Sequence, residues 1–277
     1  MFTYIDSLED LSFLGEELIQ KPFLGIDTEF RRTTKDNMRL GLLQINDGQE
    51  IYIVDTVLIG HPEDSCDFLF SDSVIKIFHS CKEDLEAIHS WTGDVMVNIF
   101  DTQLANAFLD GEYSIGYQGL VEKKLEISLD KRETRSNWLR RPLTDSQLHY
   151  AASDVEYLIH LFLEQEQKLN QSNKIDWLNE DLEFLISNTF NPLEDLNDID
   201  FNLTKSEENI LLSKFNHSVL EISKKEEINP TLLFSKKNQK AFIRSVFSVG
   251  IDKAFLDITN WRKNLIEDSI KILLKEY

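Results

Sequence analysis

Asp27 and Glu29 lie two residues apart in the mostly apolar run FLGIDTEF (23–30). If that run is a strand, both carboxylates point to one face, where they repel and resist ionising unless a cation sits between them. A further acid, Asp84, follows the apolar run VIKIFHS (74–80), at the strand end where site residues collect in α/β proteins; Glu83 and Glu86 compete with it for that role. In HYAASDVEYL, Tyr150 and Asp154 are four apart, which puts a phenol and a carboxylate on one helix face. Ala151, Ala152 and Ser153 between them are small enough for that helix to lie close against a sheet. Each motif alone is common. Taken as a set they are acids without a Cys/His ligand pattern, the donor chemistry of hard divalent cations such as Mg2+ or Mn2+.

The elements that must position these acids follow from apolar spacing. Residues 8–20 read as an amphipathic helix closed before Pro22. Strands are expected over 23–30, 39–47, 50–55, 74–80 and 97–102. The link Gly48-Gln49 makes the second and third of these an antiparallel hairpin. Helices are expected over 82–91 and 103–109, with Asp101 and Thr102 as helix caps in preference to ligands. Thr144 and Gln147 form a capping-box pattern, T-D-S-Q, that starts a helix running from 145 to 168. A hairpin meander followed by alternating strands and helices is an α/β arrangement, a mixed sheet flanked by helices.

Beyond it the pattern is helical, at 175–189, 205–224, 237–247, 252–259 and 261–275, with an acidic Asn- and Pro-containing connector at 191–202. The expected division is therefore an α/β domain over 1–170, a helical connector over 171–203 and a small all-α domain over 204–277.

The 277 residues carry 29 Lys and Arg against 49 Asp and Glu, a net charge of −20. A protein that holds nucleic acid on a broad cationic face has the opposite sign, which argues against sliding along duplex DNA on a basic face. The acid excess sits in front: residues after 203 hold 13 basic and 10 acidic side chains, those before 16 and 39. Cys66 and Cys81 are too few for a disulfide framework. No stretch suits a membrane span or a signal peptide, which gives the expectation of a cytoplasmic protein with no membrane and no obligate protein partner.

In this order, D-x-E, H-S-x-x-E-D-L-E and Y-x-x-x-D resemble the three motifs of the DEDD exonuclease superfamily, and the tyrosine resembles its tyrosine-bearing (DEDDy) branch. The resemblance is closest to the ribonuclease D family, through IDTEF, RLGLLQI, FHSCKEDLEAI, IFDTQLANAFL and LDKRETRSNWLRRPLTDSQLHYAASDVEYL, and it spans residues 3–170 almost continuously. The rear helices are similar to a single HRDC domain, a nucleic-acid-binding accessory.

The resemblance implies a ribonuclease-H-like fold and a metal-dependent 3′→5′ exoribonuclease that releases 5′-mononucleotides from RNA with a free 3′ end, precursor tRNA being the favoured substrate. It further implies two divalent cations. Asp27, Glu29 and Asp154 would hold the first, Asp27 would bridge to the second with help from Asp84, and Tyr150 would orient the attacking water. Two alternatives stand beside this reading: a DNA 3′→5′ exonuclease with the same acids, and a nucleic-acid-binding module of the same fold without activity.

Smaller expectations concern the substrate. Phe30 and Gln44 shape a nucleotide pocket; His79 either contacts substrate or is structural. Lys131, Arg132, Arg135, Arg140 and Arg141, with Trp138 among them, either touch phosphates and stack a base or form a solvated loop.

Overall fold

Six strands, β1 (Thr3–Ile5), β2 (Phe23–Thr34), β3 (Asn37–Asn46), β4 (Ile51–Asp55), β5 (Ile75–Phe78) and β6 (Ile99–Asp101), form one mixed sheet ordered β1-β4-β3-β2-β5-β6. The structure, a computed structural model, describes residues 2–34, 37–129, 133, 136–191 and 203–275. The expected hairpin is present, β3 running antiparallel to β4, and β3 also pairs antiparallel with β2. Parallel pairs join β2 to β5, β5 to β6 and β1 to β4. The expected mixed α/β sheet is therefore the observed one; β1, too short to show a period, was not anticipated.

The chain forms two compact units, Met1–Ala105 with Ser114–Gln167, and Asn106–Tyr113 with Lys168–Tyr277. In the first, β3 is buried from Leu40 to Asn46 because helices cover both its faces. These are α3 (Lys82–Thr92) on one side and α6 (Asp145–Glu156) on the other. Leu24, Ile26, Leu42, Leu43, Ile45, Ile53 and Val54 are fully enclosed there. α6 begins as its sequence dictates, the Thr144 hydroxyl accepting the Gln147 N–H at 3.2 Å and the Gln147 side chain accepting the Thr144 N–H at 3.0 Å.

The expected continuous helix over 145–168 is two helices, α6 and α7 (Leu158–Gln171), broken at Tyr157. The cause is a side chain in the backbone ladder. Tyr117 opens α5 (Tyr117–Leu125), and its hydroxyl accepts the Tyr157 N–H at 2.9 Å and donates to the Ser153 carbonyl at 3.3 Å. It thus occupies the place of one i→i−4 bond.

The second unit holds α8 (Ile175–Phe190), α9 (Lys205–Glu226), α10 (Pro230–Phe234), α11 (Lys236–Val249), α12 (Ile251–Ala254) and α13 (Asn260–Leu274); α8 packs on α13, and α9 on α10, α11 and α13. Asp181 of α8 accepts from the Trp261 indole at 2.7 Å and pairs with the Arg262 guanidinium, while Trp177 stacks on Trp261 with ring centroids 5.2 Å apart. These contacts tie residues 175–190 to α13 within the second unit. Most of the expected connector, 192–202, lies outside the described residues. Among the described residues no helix is long and apolar enough to cross a membrane.

Candidate active site

Strand β2 and helix α6 bring three acids together. Asp27, Glu29 and Asp154 each offer a carboxylate oxygen within 4.8 Å of the others, all three half-buried. Alternation along β2 explains the first two, as the sequence spacing predicts, and the approach of α6 to β2 and β3 supplies the third. No other group of this kind occurs among the described residues.

Their electrostatics show what such crowding requires. Burial, then the charges of Asp84, Asp154 and Glu29, push Asp27 well above the usual carboxylate range. Burial and the charges of Asp154 and Asp84 raise Glu29 to about 9. Burial raises Asp154 to about 7, although a hydrogen bond from the Tyr150 hydroxyl favours its anion. Acids held this far from ionising in a protein-only environment form a site that a divalent cation fits, since a cation removes the mutual repulsion that holds them neutral.

Asp84 stands outside the group of three. It lies in the first turn of α3, is nearly buried, and accepts a hydrogen bond from the Thr28 hydroxyl at 2.5 Å. Burial raises it to about 7, the Thr28 bond opposing. Its field is felt by both Asp27 and Glu29. Its competitors are committed elsewhere, because the Arg32 guanidinium pairs with Glu86 and reaches Glu83 at 3.8 Å. Asp101 is the cap that its position suggests, accepting the Gln103 and Leu104 N–H groups at 2.8 and 3.1 Å. It also accepts the N–H groups of Ser80 and Cys81, at 3.1 and 2.8 Å. Ser80 has φ of 66°, left-handed for a residue with a side chain, so Asp101 holds the strained turn that aims α3 and with it Asp84.

Tyr150 donates to Asp154 one helical turn on, as the spacing of four requires. Behind it lies Trp138, the two ring centroids 6.0 Å apart. Trp138 is 4% exposed and packs with Leu42, Ile53 and Ala151. The expectation that it stacks a base is therefore corrected: its faces are covered by the core, and it backs Tyr150. Arg141 is likewise withdrawn from phosphate contact. Its guanidinium grips the buried Asp55 carboxylate, with Nη2 to Oδ1 at 2.7 Å, and donates to the carbonyls of Trp138 and Gly41 at 2.7 and 2.8 Å. The Tyr4 hydroxyl donates to the same carboxylate.

Where this segment crosses β3, the β2–β3 register slips between Glu29 and Phe30, leaving Gly41 as the extra residue of a bulge. A Cβ on Gly41 would lie 2.7 Å from the Trp138 carbonyl oxygen and 3.1 Å from that of Glu29, so only glycine fits.

The acids open into a cavity of about 480 Å³ whose lining includes Asp27, Glu29, His79, Tyr117, Tyr150 and Asp154. His79 is a wall of it. Its Nε2 and Nδ1 lie 2.9 Å from the Ile115 carbonyl and the Thr102 hydroxyl, so both ring nitrogens are committed to the fold. Phe30 is half-buried beside the bulge and is not part of the lining. Gln44 is fully buried on β3, so its expected contact with a nucleotide is corrected as well. Arg135, Lys131 and Arg132 lie outside the described residues. Sequence reasoning missed Tyr117 and the adjoining Gly116, Gln118 and Gly119, which line the cavity beside His79. The only available signal was the glycine-flanked phenol in SIGYQGL, which has no charge to draw attention.

Comparison with known proteins gives the family and the fold. The ribonuclease D of Pseudomonas paraeruginosa is 40% identical over 168 residues, 61% of this chain and 44% of that protein, so the chain spans less than half the length of this curated relative. Escherichia coli RNase D, described as an exoribonuclease involved in structured RNA processing, has a TM-score of 0.67 over 100% of this chain and 75% of its own at 22% identity. Brucella melitensis NrnC with bound Mg2+ has a TM-score of 0.59 over 74% and 98% at 24% identity. These two likenesses are of fold. Residues 2–170, more than half of the chain, match the family described as 3′-5′ exonuclease. This chain belongs to the 3′-5′ exonuclease family and carries a ribonuclease D-like exonuclease domain.

Proposed function

We propose that this protein is a metal-dependent 3′→5′ exoribonuclease of the tyrosine-bearing branch, removing one nucleotide at a time from RNA with a free 3′ end and releasing 5′-mononucleotides. The observation that carries the reading is the convergence of Asp27, Glu29 and Asp154 within 4.8 Å, with Tyr150 bonded to Asp154, on the lining of one cavity. Asp27, Glu29 and Asp154 would hold one divalent cation, Mg2+ or Mn2+, and Asp27 with Asp84 a second. Such a pair, when bound, makes water acidic and neutralises charge on the attacking and leaving oxygens of an in-line displacement.

The protein's own groups do the rest. In the overall hydrolysis a water oxygen bonds to the terminal phosphorus as the bond to the 3′ oxygen of the preceding nucleotide breaks, leaving a free 3′ hydroxyl. Tyr150 hydrogen-bonds and orients that water. His79, Tyr117 and Leu158 wall a space whose volume, about 480 Å³, suits a single nucleotide.

Precursor tRNA is the substrate proposed for the whole protein, as the resemblance to the ribonuclease D family implies. The test is digestion of a 3′-tailed tRNA and a DNA strand of matching sequence with Mn2+, for wild type, Asp27→Ala and Asp154→Ala. Stepwise shortening of the RNA, lost in both variants with the fold retained, is expected. Preference for the DNA strand would make it a deoxyribonuclease, and binding without cleavage by wild type would make it a binding module.

A further inference from the structure

Three side chains along one face of β3 meet α6. Leu42 packs against Ala151 and Trp138. Asn46 donates its side-chain amide to the carbonyls of Val155 and Glu156 at 3.0 and 3.2 Å. Gln44 lies between them, fully buried, and neither its Nε2 nor its Oε1 has a hydrogen-bond partner among the described residues. An enclosed amide without a partner is destabilising, so an apolar residue of the same shape would make a more stable interlayer. What distinguishes Gln44 from Asn46 is its neighbour across the ladder. Asn46 faces Gly25, whereas Gln44 faces Asp27 directly in register. Opposed side chains of an antiparallel pair have Cβ atoms about 4.5–5.5 Å apart, within reach of an amide and a carboxylate.

We propose that Gln44 is a positioning residue for Asp27, its N–H2 group the donor that fixes the Asp27 carboxylate when that carboxylate holds divalent cations. The inference rests on the cation-binding reading above. A carboxylate ligand holds its orientation through a donor behind it, and loss of such a partner weakens metal binding by about 10- to 100-fold. Gln44 touches neither substrate nor cation; it acts through Asp27.

The test uses the full chain, wild type and Gln44→Met, titrated with Mn2+ alone by calorimetry and melted in EDTA. The expected result is an Mn2+ affinity about 10- to 100-fold lower in the variant, with a melting temperature in EDTA equal to or above that of wild type. Equal Mn2+ affinity overturns the inference. So does a lower melting temperature in EDTA, which would mean that the amide has a partner within the fold. Gln44→Leu serves if the methionine variant does not fold. The two readings fail separately: no Mn2+ uptake by wild type removes the cation site and this inference with it, whereas undiminished uptake by the variant removes only the role of Gln44.

Discussion

The Tyr117 hydroxyl accepts the Tyr157 N–H at 2.9 Å and so stands where a helix carbonyl would, three residues beyond Asp154. Tyr117→Phe deletes this bridge and leaves the Ser153 carbonyl and the Tyr157 N–H to find other partners. The expected loss is about 1 kcal/mol, a fall in Tm of about 2–4 °C by calorimetry. An unchanged Tm would mean that α6 and α7 close into one helix on their own.

Without cations, the acid cluster sets a pH dependence of known sign. In the fold burial holds Asp84 and Asp154 up at about 7 and Glu29 at about 9, against about 4 in an unfolded chain. The folded state therefore keeps protons that the unfolded state has lost. The stability this contributes is whole below about pH 4 and declines as pH climbs through 7 and 9. In EDTA, Tm should fall between about pH 5 and pH 9, and Mn2+ should raise it more at about pH 8 than at about pH 6. Asp154→Asn should flatten the EDTA profile; a profile equally steep in that variant would count against the cluster as its source.

Tyr150→Phe separates chemistry from grip. Turnover should drop by about 10²-fold or more while the Kd for a 3′-tailed RNA stays within about twofold, because the lost hydroxyl orients water and holds no strand. Single-turnover rates and filter binding measure the two. Unchanged turnover would remove the phenol from the mechanism.

Arg141→Lys tests the scaffold behind that phenol. A lysine cannot grip Asp55 through two nitrogens and also reach the carbonyls of Gly41 and Trp138. With Asp55 buried, the loss should be about 3 kcal/mol by denaturant titration. In protein that remains folded, kcat should fall more than KM rises. A variant as stable as wild type would show the clamp to be dispensable.

How much of this was legible depends on the range of the interaction. D-x-E alternation, the four-residue step from Tyr150 to Asp154 and the Thr144 capping box are local, and periodicity alone places them. Their convergence needed the family resemblance, since nothing within β2 says which helix will cover it. Trp138 was misread because its charged neighbours suggest a surface, yet Arg141 folds inward on Asp55 and carries the indole into the core. Gln44 was assigned to the pocket for proximity to the acids, though it lies beneath α6. Tyr117 escaped because a phenol wedged into a remote helix leaves no mark in the order of residues.

The bare peptide at Gly41 has a consequence for how the alignment of the acid site can fail. The Trp138 carbonyl approaches so closely that one added methyl would press that stretch of chain away and shift the indole that backs Tyr150. Every ionisable group would survive such a change intact. Inactivation by misalignment thus lies one hydrogen-to-methyl exchange away, at a residue with no functional group, and an inventory of acids would miss it.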